Sequence, residues 1–283
     1  MSDSFIDFGA PRAPVGAALL LTLMSACGTS TSEWEEFRAS AEALEDGRLV
    51  ADHDMVFEDE AELYAYWEEM SFGSPLAEDE VGAARQPLTQ STPGGVPEVW
   101  EFPQSMRLTY CVEDDFGSRE ATLLAALDRA AGFWSQRVGV RFERVDLTDC
   151  GTDSDEVVFN VQRHTGVAYN AIAFFPDDPR SQRVVGVADS AFTTSSGGRD
   201  LVGILAHELG HVLGFRHEHI WTACTGEGPA DATALTSYDP NSVMHYPSCR
   251  PPGSASGYRL TELDYEGAIQ VYGLAPALIG LVT

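Results

Sequence analysis

Three histidines, a glutamate and a glycine at fixed spacing carry the clearest chemical signal in this 283-residue chain: His207, Glu208, His211, Gly214 and His217. On a helix, residues i and i+4 stand one above the other, so His207 and His211 present two imidazole nitrogens to one metal ion. Glu208 lies between them, a carboxylate beside the ion that is not needed as a ligand. It is placed to take a proton from a bound water. Gly214 tolerates the left-handed conformation that ends a helix, and the chain can turn there to bring His217 back to the same ion. Three imidazoles leave a fourth position open, the arrangement of a catalytic zinc rather than a closed structural one, so one Zn²⁺ is the expected cofactor. The competing reading, a helix that carries three histidines by coincidence, has to explain five matched positions.

These residues need a helix that begins and ends in the right places. Asp200 is the expected N-cap, and residues 201–206 form an apolar run leading into the motif. Further on, Ser242-Val243-Met244-His245-Tyr246 reads as a turn. Together the two motifs resemble the metzincin clan of zinc endopeptidases. The form G-F-R-H-E with S-V-M-H-Y is similar to its astacin-like branch, and bacterial matrixin- or M57-like peptidases fit as well. The resemblance covers roughly the last two-thirds of the chain. It implies an α+β fold: a twisted mixed sheet with long helices, an active-site helix, a Met-turn and a C-terminal helix, preceded by a small acidic N-terminal segment. It also implies that His207, His211 and His217 are the metal ligands, Glu208 the general base and Met244 the hydrophobic floor beneath the histidines. Tyr246 would lie near or on the metal and steady the reaction intermediate, and Glu218 would anchor the N-terminus exposed by activation. The astacin pattern continues with Arg and Asp after that glutamate, whereas this chain reads His219-Ile220-Trp221-Thr222.

Seventeen Lys and Arg against 44 Asp and Glu give a net charge of −27, which disfavours nucleic acid and anionic lipid as partners. Cys27 stands apart from Cys111, Cys150, Cys224 and Cys249, and four cysteines allow three pairings. The favoured one is Cys111–Cys150, tying the start of the catalytic domain, with Cys224–Cys249 closing the loop between His217 and the Met-turn. Buried free thiols are the alternative. No C-x-x-C spacing supports a cysteine zinc site.

Taken in order, residues 15–24 are too short to span a bilayer and read as the apolar part of an export signal. Met24-Ser25-Ala26-Cys27 resembles a bacterial lipobox, with Cys27 as the lipidated residue and Gly28 pointing to the outer membrane or cell surface. Ordinary secretion is the alternative. The expected division is a signal at 1–27, an acidic segment and linker at 28–97, and the catalytic domain at 98–283. Helices are expected over 34–44 and 60–70, in a layer that is either a removable pro-segment of a zymogen or permanent. Neither the cysteine-switch motif nor the F-x-G-D latch is present, and Asp52 and Asp54 both remain candidates to reach a zinc. Residues 90–97, rich in Pro and Gly, read as a linker and a region for activating cleavage. Strands are expected over 106–112, 140–145, 157–161, 171–175 and 184–188. The resemblance places the last near the edge strand that pairs with an extended substrate; an interior strand is the alternative. A helix over 119–138 carries an apolar face of Leu123, Leu124, Leu127, Ala131 and Trp134. A final helix is expected near 258–272, capped by Thr261 and ended by Gly273. His53, His164, His219 and His245 are read as structural.

The function expected is hydrolysis of polypeptides by a monomeric, exported zinc metalloendopeptidase. A non-catalytic lipoprotein with a zinc staple, or a processing protease of narrow specificity, are the alternatives.

Overall fold

The computed structural model describes residues 29–51, 54–72, 88–193, 200–222, 224, 229–255 and 257–279. The predicted signal and the lipidation residue Cys27 lie outside them. No helix among the described residues is long and apolar enough to cross a membrane.

A five-stranded sheet is the platform for the site. It comprises β5 (Leu108–Val112), β6 (Phe142–Arg144), β7 (Phe159–His164), β8 (Ala171–Ile172) and β9 (Val184–Ala188), in the order β6-β5-β7-β9-β8. Four strands run parallel, and β8 pairs antiparallel to β9 at the edge. Residues 184–188 are therefore an interior strand, buried throughout as parallel strands are, and β8 is the edge. The α+β class holds.

Helix α3 (Glu120–Ser135) buries Leu123, Ala126, Leu127, Ala130 and Trp134 in the main core. The buried stripe differs from the expected one, with Leu124 and Ala131 half-exposed on its flank. The Trp134 indole donates to the Ala206 carbonyl oxygen at 2.9 Å, tying α3 to the next helix. That helix, α4 (Leu201–Val212), is the motif helix, and it is buried at eleven of its twelve residues. Asp200 caps it by accepting from the Gly203 N–H at 2.8 Å. Carbonyls at its other end would be left without intrahelical donors. The Trp100 indole meets that of Val212 at 2.6 Å and the Tyr272 hydroxyl that of Leu213 at 2.7 Å.

Thr89–Ser91 is strand β4 rather than the start of a linker. It is paired on one side with β10 (Phe215–Arg216) and on the other with β11 (Ala232–Ala234). All three of its polar residues are buried, which is tolerable because strands on both sides take up the backbone groups. Pro93 to Gly95, the residues behind the linker reading, form only the turn that follows.

The last long helix, α5 (Glu262–Tyr272), has a capping box between Thr261 and Asp264 and ends at Gly273, with φ 74°. Both expected disulfides are formed, Cys111–Cys150 and Cys224–Cys249.

The N-terminal layer consists of α1 (Thr29–Ser40), α2 (Glu60–Phe72) and an antiparallel meander. The meander is made of β1 (Glu42–Ala43), β2 (Leu49–Ala51) and β3 (Met55–Phe57). Leu44, placed in a helix by its spacing, lies past the end of α1, beyond β1. The layer has a small core of its own in Ala51, Phe57 and Leu63, with Trp34, Phe37 and Tyr66 packed against it.

Candidate active site

The two histidines of α4 are aimed by hydrogen bonds from their inner ring nitrogens. Nδ1 of His207 is 2.7 Å from the Val243 carbonyl oxygen, and Nδ1 of His211 is 2.8 Å from that of Phe215. A carbonyl only accepts, so each Nδ1 carries the proton and each Nε2 presents a lone pair in the neutral ring. Gly214, at φ +85°, makes the return turn. A Cβ there would collide with the Glu98 carbonyl oxygen, so glycine is required both for conformation and for room. After the turn, Nε2 of His217 lies 3.2 Å from Nε2 of His207 and 3.2 Å from that of His211.

Lone pairs from His207 and His211 thus face His217 Nε2 in a buried space with little proton to share. Burial and the neighbouring histidines hold the His211 pKa well below its usual value. Convergent acceptors need a cation between them. The set is one that zinc takes: imidazole nitrogens whose other nitrogens are oriented by backbone carbonyls.

Met244 is fully buried beneath this cluster, close enough that a Cβ on Gly210 of α4 would strike its sulfur. The turn that carries it is fixed from α5. Asp264 accepts from the Ser242 hydroxyl at 2.6 Å, the Val243 N–H at 2.9 Å and the Thr261 N–H at 2.8 Å. Burial raises its pKa to about 6. The Arg250 guanidinium ties the same turn to the following loop, donating to the carbonyls of Ser242, His245, Ala255 and Gly257 at 2.7–3.0 Å. Sequence reasoning missed both residues. The capping-box pattern at Thr261 and Asp264 was a signal for the helix, but nothing local tied Asp264 to a turn twenty residues earlier.

Glu208 is 2% exposed and faces the cleft, its Oε2 without a hydrogen-bond partner among the described residues. Burial, and secondarily the charge of Asp54, push its pKa well up. Glu218 is also buried. It accepts from the Asp239 N–H while its own N–H donates to the Met244 carbonyl at 3.0 Å, so it braces the Met-turn. Its pKa is raised by burial and by Asp264.

Tyr246, 2% exposed, stacks on His219 at 4.2 Å and lies tilted against His217, also at 4.2 Å, ring centre to ring centre. Its hydroxyl donates to Asp54. Asp54 is the residue that spacing alone left undecided. Its carboxylate lies 3.3 Å from Nε2 of His207 and 3.2 Å from Nε2 of His217, with the side chain 8% exposed. His219 is stacked 4.9 Å from His217, and neither it nor His245 belongs to the metal-ligating group Asp54, His207, His211 and His217. Asp52 and His53 lie outside the described residues.

Residues 100–224 match the matrixin family of peptidases. The fold and the histidine cluster are consistent with a metzincin-like domain. Human matrix metalloproteinase-25 is 27% identical over 190 residues, 63% of this chain and 28% of that protein, so the chain spans little more than a quarter of that relative's length. The structure of myroilysin aligns with a TM-score of 0.43 at 17% identity, over 62% of this chain and 95% of that one. The matrixin match implies zinc, and the structure holds a histidine-rich group that could bind it.

Proposed function

We propose that the chain is a zinc endopeptidase acting on extended polypeptides. The observation that carries this reading is the convergence of three imidazole nitrogens beside a buried carboxylate, Glu208, that no structural role claims. His207, His211 and His217 would hold the ion. Bound there, zinc supplies Lewis acidity toward a water and the scissile carbonyl.

The chain's own residues supply the rest. Glu208 takes the water's proton at its carboxylate and passes it to the leaving amine, and its burial, which raises its pKa, favours holding that proton. Tyr246 donates its hydroxyl to the oxyanion, which is worth a few kcal/mol in comparable sites. The edge position of β8 supports binding of substrate by backbone pairing, which accepts many sequences in extended form. Two disulfides fit an exported protein, since such bonds persist in oxidising compartments. Cys27 would anchor it if the lipobox is used, and the working unit is a monomer.

The test is cleavage of a mixed peptide library by residues 88–283 loaded with zinc, beside its Glu208→Ala variant. Turnover should fall by at least about 10²–10⁴-fold in the variant, with zinc still bound one to one. Equal cleavage by both would remove Glu208 from the mechanism. Absence of cleavage by either, with zinc bound, would favour the zinc-stapled binding module.

A further inference from the structure

Resting on the endopeptidase reading, we propose that Tyr258 sets the substrate class: its ring closes the side-chain pocket beside Glu208, so bonds are cut ahead of small, uncharged residues. The pocket is lined by Ala171 of the edge strand β8, by Ile204 and Glu208 of α4, and by Pro247, Ser248 and Tyr258 from the chain after the Met-turn. Ile204 and Glu208 are four residues apart and share one face of their helix. Glu208 passes its proton to the leaving amine, so the side chain that enters beside it belongs to the residue on the amine side of the cut bond. An extended substrate paired with β8 turns alternate side chains toward α4, which is how one of them reaches this space.

Volume decides what the pocket admits. It holds about 70 Å³, less than half of the ~150 Å³ that takes up a benzene ring. A methyl or hydroxymethyl group fits, and a phenyl ring does not. The Glu208 carboxylate in the lining works against an acidic side chain, a repulsive element in the specificity. Tyr258 is the residue that takes up the room. It is 9% exposed, and its ring centre lies 4.6 Å from that of His207. Its backbone crosses α4 so closely that a Cβ on Gly203 would meet the Tyr258 carbonyl oxygen at 2.7 Å. The ring then reaches one turn along the helix to His207. Guanidinium groups hold the wall from both sides of Tyr258 in the chain. Arg259 donates to the Tyr258 carbonyl at 2.6 Å and to the carboxylate of Asp200, the cap of α4, at 2.6 Å. Arg250 donates to the Gly257 carbonyl at 2.7 Å. The filter is therefore anchored to the helix that carries the histidines, and it keeps its size as substrate enters.

The experiment uses the full chain and, beside it, residues 88–283, both zinc-loaded, because Asp54 of the N-terminal layer also lines the pocket. Peptides differing only in the residue after the scissile bond (Ala, Ser, Val, Leu, Phe, Glu) are compared by kcat/KM, and their affinities are measured by fluorescence anisotropy in the Glu208→Ala background. The parent should favour Ala over Phe by at least about a hundredfold, and Tyr258→Ala should raise the Phe-to-Ala ratio at least about tenfold, in cleavage and in affinity alike. Tyr258→Phe, which keeps the bulk of the ring, should retain the parent's ratio. Tyr258→Leu should fall between, and it carries the test if Tyr258→Ala fails to fold, as judged by zinc stoichiometry and melting. A parent that cuts ahead of Phe as readily as ahead of Ala would overturn the filter, and so would a folded Tyr258→Ala or Tyr258→Leu with the parent's ratios. Absence of cleavage by every form, with zinc bound, would sink the endopeptidase reading instead, and the affinity ratios would still decide whether Tyr258 limits the pocket.

Discussion

Asp264 bears on the chemistry without touching the metal. It receives two donors from the Met-turn, the Ser242 hydroxyl and the Val243 N–H, and one from the cap of α5, the Thr261 N–H, and burial raises its pKa to about 6. A raised carboxyl pKa means the folded state holds a proton that the unfolded chain has already released. Stability from this group is therefore highest below about pH 4 and is lost as pH rises to about 6, on the order of 3 kcal/mol in all. Urea unfolding across pH 4–7 should show that component in the parent and lose it in Asp264→Asn. Asp264→Ala leaves buried donors at Ser242, Val243 and Thr261 unmet. It should cost about 3 kcal/mol or more, at roughly 1–3 kcal/mol for each, read by the same unfolding curves. The pairing of His207 with His211 was legible because a helix fixes i and i+4 locally. Asp54, Asp264 and Arg250 were not, because their partners lie far away along the chain.

At the scale of elements, β4 and the Gly214 turn position the third histidine together. The Ser91 N–H donates to the Gly214 carbonyl at 2.8 Å, and the Trp221 indole reaches the Thr89 hydroxyl at 2.8 Å. A chain that begins at Leu88 should fold and bind zinc. One that begins at Glu98 removes β4, strips β10 of its partner, and should show weaker zinc binding and a lower melting temperature. Gly214→Ala should destabilise by about 1–3 kcal/mol from the left-handed backbone alone, with the collision against Glu98 added, as calorimetry would register. Cap and stop signals made α4 and α5 legible to within a few residues. The linker reading of 90–97 failed at its start because polar residues in a buried strand look like a loop until their pairing partners are known.

For the molecule as a whole, one disulfide ties the sheet strand β5 to a later loop and the other closes the loop around the Met-turn. Cys111–Cys150 closes 39 residues around the sheet, and Cys224–Cys249 closes 25 between the third histidine and the residues after the Met-turn. Each is worth roughly 2–4 kcal/mol. Reduction should lower the melting temperature, and replacing Cys224 and Cys249 by serine should loosen the cleft wall as well, seen as faster proteolysis of 222–250. The net charge of −27 adds self-repulsion, so moderate salt should raise the melting temperature.

The sequence by itself determined the helix that carries His207 and His211 with its start and stop, the turn at Met244 and the α+β class. Each of these rests on local spacing or on motifs whose residues are near neighbours in the chain. Tertiary structure alone decided that β8 and not β9 is the edge, that 89–91 is a buried strand, and that Asp54 reaches the histidines. Those facts depend on which distant segments meet, and that is set by the packing of the sheet, α4 and the N-terminal layer against one another, which no spacing along the chain encodes.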